Sequence, residues 1–234
     1  KSLEIQIDYE LIKETNQVKA IITSNVKLKN TKPTWKLSED QKTYTKIYNE
    51  NSGYMTKIES INGECKDVEI KVKDIDDKGP EIILDYVYNN TDNTVIVYMK
   101  SNEEMQDTKP TWKLSEDKMT YEKVYPTEEQ NYYTEVKDIY GNSTNVKIQF
   151  KYKFEDIKLG ENNIKLTYLF ASNNEVNVQA ISDNEFEDTK PTWNLSENKK
   201  VYSKLFYNNQ NYSTKFKMVD GNEFNINIII DYFK

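Results

Sequence analysis

Four constellations in this sequence carry residue types that do chemistry elsewhere. Adjacent carboxylates recur at Glu39-Asp40 and Glu116-Asp117. Two carboxylates that flank a cleft cleave glycosidic bonds, whereas neighbours in one turn cannot straddle a substrate, so both pairs read as solvated surface. Asp74, Asp76 and Asp77 precede Gly79-Pro80, an oxygen-rich run of the sort that calcium can stiffen between domains. The next such junction supplies only Glu155 and Asp156, so an acidic linker without metal or any other cofactor is the expectation, with calcium at the first linker as the alternative. Cys65 stands alone, with Ser143 and Glu223 at the matching places, which marks an incidental thiol rather than a nucleophile. Trp35, Trp112 and Trp193 are of the type that stacks on sugars. Each is followed two residues on by a leucine (Leu37, Leu114, Leu195), and strand spacing then points both side chains into a core.

Composition removes several activities. The 234 residues contain 32 cationic and 39 acidic side chains and no histidine, and every cation is lysine. Without histidine there is no His-based acid–base pair, no Ser-His-Asp system and no common zinc site. Without arginine there is no bidentate fork for guanine edges or phosphoryl groups. A net charge of -7 lacks the basic stripe that nucleic acid requires, so no nucleic-acid partner is expected. No run of about 18 apolar residues occurs, so no membrane-spanning helix is expected either. The chain opens on Lys-Ser, and the expectation is a piece of a longer precursor.

The organisation that positions these residues is an internal repeat. Thr-Lys-Pro-Thr-Trp-Lys-Leu-Ser-Glu-Asp at 31–40 returns intact at 108–117 and as Thr-Lys-Pro-Thr-Trp-Asn-Leu-Ser-Glu-Asn at 189–198. Nine residues after each tryptophan comes a tyrosine (Tyr44, Tyr121, Tyr202), and two further on a lysine (Lys46, Lys123, Lys204). A second tyrosine (Tyr54, Tyr132, Tyr212) precedes a glycine (Gly63, Gly141, Gly221) by nine residues. The tryptophans lie 77 and 81 residues apart, a period suited to a self-contained domain in tandem rather than a solenoid. In the first copy, segments 4–9, 18–24, 35–37, 43–48, 54–60 and 68–72 alternate or are rich in β-branched and aromatic residues, with Asn, Asp, Ser, Gly and Pro turns between them. No stretch carries a helical apolar stripe. The expected fold class is all-β, three β-sandwich domains at 1–78, 79–158 and 159–234 in an extended array.

Alternation predicts which side chains point inward. Val18, Ala20 and Ile22 match Val95, Val97, Met99 and Val176, Val178, Ala180, all apolar, and the positions between them vary. Ile58, Val136 and Phe216 take the inward slot on the penultimate strand. Gly-Asn turns at 141–142 and 221–222 give a hairpin to the last strand, with Asn62-Gly63 in the first copy one residue out of step. The middle copy differs on its outer face: Ile96 and Tyr98 stand where the others carry Lys19 and Ile21 or Asn177 and Gln179. Together with Tyr121 and Tyr125 on the neighbouring strand they are the candidate ligand residues, an exposed aliphatic–aromatic patch for glycan or protein.

The Pro-Thr-Trp-x-Leu-Ser-Glu core, the Tyr-x-Lys step and the hairpins 136–142 and 216–222 resemble the bacterial immunoglobulin-like repeats of clostridial and other Gram-positive surface or secreted proteins. The resemblance covers nearly the whole chain. It implies immunoglobulin-like sandwiches, an extracellular location and no enzymatic activity, with neighbouring modules of a longer parent protein as partners. It also brings a Lys–Asn isopeptide crosslink into view, since such domains often carry one beside a buried carboxylate. Lys46, Lys123 and Lys204 are expected on the outer face, opposite an inward Ile47, Val124 and Leu205, and no Asn–acid pair tracks them, so no crosslink is expected. The expected function is a spacer or stalk; the alternative is an adhesin or carbohydrate-binding region whose middle copy meets a host or cell-wall glycan or protein.

Overall fold

The computed structural model describes residues 2–171 and 174–233, and each copy of the repeat becomes six strands in the same order. In the first copy these are β1 (Ile5–Ile12), β2 (Gln17–Ser24), β3 (Lys36–Leu37), β4 (Thr43–Tyr48), β5 (Ser52–Glu59) and β6 (Cys65–Val72). The second supplies β7 (Ile82–Asn89), β8 (Thr94–Ser101), β9 (Lys113–Leu114), β10 (Thr120–Pro126), β11 (Gln130–Lys137) and β12 (Ser143–Leu159). The third supplies β13 (Asn162–Ala171), β14 (Glu175–Ser182), β15 (Asn194–Leu195), β16 (Val201–Phe206), β17 (Gln210–Lys217) and β18 (Glu223–Ile230). One sheet of the first copy runs β1-β2-β4-β3, all antiparallel, and β5-β6 form the facing hairpin. The core between them takes the expected residues: Val18, Ala20 and Ile22 from one sheet and Ile58, Val68, Ile70 and Val72 from the other are buried. The same slots fill the second and third cores with Val95, Val97, Met99 and Val136, and with Val176, Val178, Ala180 and Phe216.

Local chemistry closes the turns. Asn16, Asn93 and Asn174, each just before the second strand of its copy, sit at φ 52°, 52° and 58°, the left-handed region that asparagine tolerates best among side chains with a Cβ. Gly63, Gly141 and Gly221 occupy one shared turn position at φ 84°, 93° and 90°. The first copy is therefore in step with the others at its glycine, which is followed by Glu64 where they have Asn142 and Asn222. A tyrosine pins the proline loop in each copy. Tyr44 donates to the Lys29 carbonyl at 2.7 Å and accepts from the Thr31 N–H at 3.1 Å; Tyr121 does the same with Gln106 and Thr108, and Tyr202 with Glu187 and Thr189.

The chain divides into two compact units, Lys1–Lys78 and Gly79–Lys234, and an asparagine clamp present at the first junction is missing at the second. After β6 the backbone turns at Asp74 (φ 70°). Asn51 then holds Ile75 from both sides, donating to its carbonyl at 2.8 Å and accepting from its N–H at 3.1 Å. Asn209 grips Phe233 in the same way after β18. At the matching position the second copy has Glu129, whose carboxylate has no N–H to donate. There the chain runs straight on: β12 pairs with β11 as far as Phe150 and with β13 from Phe150 onward, giving a six-stranded sheet β11-β12-β13-β14-β16-β15. The expected boundary between 158 and 159 thus falls inside a strand, and the second and third copies form one unit.

That junction is packed as well as hydrogen-bonded. Leu169 and Ala171, on the outward face of β13, are buried in the core of the second copy. Tyr88 stacks on Tyr152 with centroids 4.6 Å apart. Lys165 donates to the Tyr88 hydroxyl at 3.2 Å and lies 4.6 Å from the Phe154 ring centre, its stem covering the aromatic cluster while its charge stays wet. At the other end of the second copy, a Cβ on Gly79 would collide with the Ser143 carbonyl at the start of β12, so only glycine fits there.

Candidate functional site

The three tryptophans are core residues, 5–7% exposed, each edge-on to its tyrosine (Tyr44, Tyr121 or Tyr202) at 6.4 Å. None presents a face for a sugar. The lysines two residues beyond those tyrosines correct an expectation. Tyr44 and Tyr48 are both buried on β4, and a period of two then puts Lys46 on their face and turns Ile47 outward, where it is 52% exposed. Val124 and Leu205 are outward in the same way. The lysine ammoniums lie over the rings at the open margin of the sandwich, Lys46 4.8 Å from Tyr48 and Lys123 4.9 Å from Tyr125. Lys123 donates to the Thr111 hydroxyl at 3.3 Å and Lys204 to the Thr192 carbonyl at 3.0 Å; neither contact is to an asparagine.

A second lysine set went unnoticed in the sequence. Lys32, Lys109 and Lys190 of the Thr-Lys-Pro-Thr-Trp segment donate to Thr56, Thr134 and Thr214 on the penultimate strands, tying the loop to the opposite sheet. Burial pushes the Lys109 ammonium below the usual lysine range, with nearby Glu135 opposing the shift. The matched Lys–Thr pairs in all three copies were the available signal. The acid pairs have a local role: Asp40 accepts from the Ser38 hydroxyl at 2.5 Å and the Lys42 N–H at 3.0 Å, and Asp117 from Ser115 and Met119. These bonds hold both carboxyls below their ordinary pKa, the serine hydroxyl contributing most.

The linker acids are engaged by protein amides. Asn16 donates to the Asp76 carbonyl at 2.7 Å and accepts from its N–H at 2.8 Å. The Asp76 carboxylate accepts from the Lys78 N–H at 3.2 Å, and that of Asp77 from Asn51 at 3.2 Å. Asp74 sits in the left-handed region at φ 70°. Cys65 is exposed.

The four candidate ligand residues split into two pairs. Ile96 and Tyr98 do face outward on β8, half-buried. Tyr121 and Tyr125 do not join them: they are 0% and 5% exposed, inside the second core. Tyr121 must face inward to reach the Gln106 carbonyl, and Tyr125, four residues on, shares its face and hydrogen-bonds the Tyr132 hydroxyl. Burial, reinforced by that bond, pushes the Tyr125 phenol well above its ordinary range. The outward neighbours of Ile96 and Tyr98 are instead aliphatic and acidic. Strand register sets Val87, Ile96 and Val124 in one row across β7, β8 and β10, and Asp85, Tyr98 and Glu122 in the next.

The fused unit adds a wall to this face. A cleft of about 520 Å³ opens between it and the outward side of β14 and β16. Asp85, Val87, Tyr98, Lys100 and Thr120 line it from the second copy, and Glu175, Asn177 and Leu205 from the third. Asp85 and Lys100 form an ion pair. The Asn177 Oδ1 is buried with no hydrogen-bond partner among the described residues. In the sequence, Asn177 and Leu205 belong to a different repeat from Tyr98, so no local pattern joined them. The one available signal was the run Tyr168-Leu169-Phe170-Ala171, apolar at successive positions and so in need of cover on both faces of β13. Comparison with known protein families, with curated proteins and with solved structures returns no match.

Proposed function

We infer that this chain is a non-catalytic spacer segment of a bacterial cell-surface or secreted protein, built from immunoglobulin-like repeats and holding neighbouring modules of its parent at a set distance. The observation that carries this reading is the shared strand β12, which joins two copies without a hinge. An unbroken ladder and a buried apolar junction resist bending because each bent state would expose Leu169 and Ala171 and leave backbone groups unpaired. The repeat motifs support the family assignment and, through it, the extracellular location.

Spin labels test the spacer directly. With Cys65→Ser as background, labels at Lys113→Cys and Asn194→Cys, matched exposed sites in the second and third copies, should give one narrow distance distribution. A broad distribution would mean that the two copies swing freely, and the spacer reading would lose its support; turnover of glycoside or peptide substrates by the full chain would also overturn it.

A second reading is recognition of a ligand by the middle copy, as in an adhesin or carbohydrate-binding region. It is favoured by a single feature, the half-buried Tyr98 at the mouth of the cleft.

A further inference from the structure

We propose that the outer edge of β1 is a docking site for an added strand. Its occupant is the extended last strand of another repeat, with the Lys-x-Glu-x-Ile alternation of residues 153–157. The inference goes beyond the spacer and recognition readings and depends on neither.

The third copy shows what such an edge receives. β13, the first strand of its sandwich, pairs with β14 on one side and with the extension of β12 on the other. Register sets Lys153 opposite Tyr168, Glu155 opposite Leu166 and Ile157 opposite Ile164. These three residues cover the margin of the core. Lys153 lies 4.5 Å from the Tyr168 ring centre, Glu155 accepts from the Tyr168 hydroxyl at 2.9 Å, and Ile157 packs against the buried cluster. Tyr168 and Phe170 are left only 3% and 5% exposed.

The first copy offers the same surface uncovered. β1 pairs with β2 as β13 pairs with β14, so Ile5, Ile7, Tyr9 and Leu11 take the places of Ile164, Leu166, Tyr168 and Phe170. Among the described residues β1 has β2 as its sole neighbour in the sheet. Tyr9 and Leu11 are 40% and 43% exposed, although they occupy inward positions. Unpaired backbone groups beside half-exposed apolar side chains are what strand addition uses, the ladder giving affinity and the alternate side chains specificity. Charge agrees, because the register of β12 on β13 would place Lys158 opposite Glu4. On β7 the matching Tyr86 and Tyr88 are already buried against Phe150 and Tyr152, so the edge of the second copy lacks the apolar component. Tyr9 marks the event. Its hydroxyl accepts from the Lys71 N–H at 2.7 Å, and an added strand would offer it a carboxylate instead, as Glu155 does for Tyr168.

The test titrates the isotope-labelled full chain with a synthetic peptide of residues 150–159. Saturable resonance shifts are expected at the Leu11 methyls and the Lys71 amide together, with slower hydrogen exchange along β1. Ile157→Asp in the peptide and Leu11→Lys in the protein should each weaken binding about tenfold or more, the second at an unchanged melting temperature. The absence of saturable shifts, equal binding of a scrambled peptide, or shifts confined to Gly79–Lys234 would overturn the proposal. A chain that dimerises in sedimentation, and ceases to as Leu11→Lys, would overturn it in favour of pairing between the β1 edges of two copies.

Discussion

Replacing Tyr121 with phenylalanine separates two claims with one atom. The ring is fully buried, and its hydroxyl donates to the Gln106 carbonyl and accepts from the Thr108 N–H at 3.0 Å. Tyr121→Phe keeps the ring and its edge contact with Trp112, so no cavity opens. The Gln106 carbonyl and the Thr108 N–H lose the hydroxyl but keep the bond between them at 3.0 Å. Two hydrogen bonds at a net ~0.5–1 kcal/mol each, with no buried group left unpaired, give an expected loss of about 1–2 kcal/mol. Hydrogen exchange with mass readout on the full chain measures it. Peptides from β8 and β10 should lose protection about 5- to 30-fold, the same free energy at 1.4 kcal/mol per factor of ten. Because β12 and the buried Leu169 and Ala171 couple the copies, the most protected amides of β14 and β16 should fall with them. Peptides within Lys1–Lys78, the other compact unit, should not change. A loss below about threefold in β8 and β10 would refute the loop clamp. A normal loss there with β14 and β16 untouched would refute the single cooperative unit while sparing the clamp.

Asp74 holds φ 70° without being glycine, so Asp74→Val should lower the stability of the first unit by about 1–2 kcal/mol, whereas Asp74→Gly should leave it equal or slightly higher; denaturant melts of the pair decide this, and equal effects would refute it. The Asp117 carboxyl is held below its ordinary pKa by Ser115 and Met119, so its contribution is complete above the unfolded value of about 4 and fades as pH falls through the folded value. Asp117→Asn, which copies the natural Asn198 of the third repeat, should therefore differ from the parent by a constant amount at neutral pH and by less in acid, and a gap that widens below pH ~4 would contradict the sign. Intact mass should equal that of the sequence, because Lys123 and Lys204 bond threonine rather than asparagine; a deficit of one ammonia per copy would reveal a crosslink.

Much of the architecture is written locally. Strand alternation names the inward residues of β2, β8 and β14, and turn chemistry marks the hairpins, because both depend only on neighbours a few positions away. The repeated Trp-x-Leu spacing likewise suffices to place Trp35, Trp112 and Trp193 in cores. Alternation fails where an apolar residue faces water: Ile47, Val124 and Leu205 look inward by type, yet the buried aromatic residues on either side set the phase of the strand. The same phase removes Tyr121 and Tyr125 from the exposed face and leaves Ile96 and Tyr98 on it.

The division of the chain lay beyond local pattern. Three equal repeats imply three equal domains, but the exiting backbone is clamped at Ile75 by Asn51 in the first copy and continues as a strand in the second, where Glu129 replaces the asparagine and the linker is longer. That difference appears only when Ile75 and its matching residues are placed in space. The cleft is further removed still, since Tyr98 and Asn177 lie in different repeats and meet only because β12 carries one sheet into the next. Sequence determines periodicity, which is a property of neighbours along the chain. Tertiary structure decides adjacency between repeats, where the burial of Leu169 and Ala171 and the register of one long strand set the geometry together.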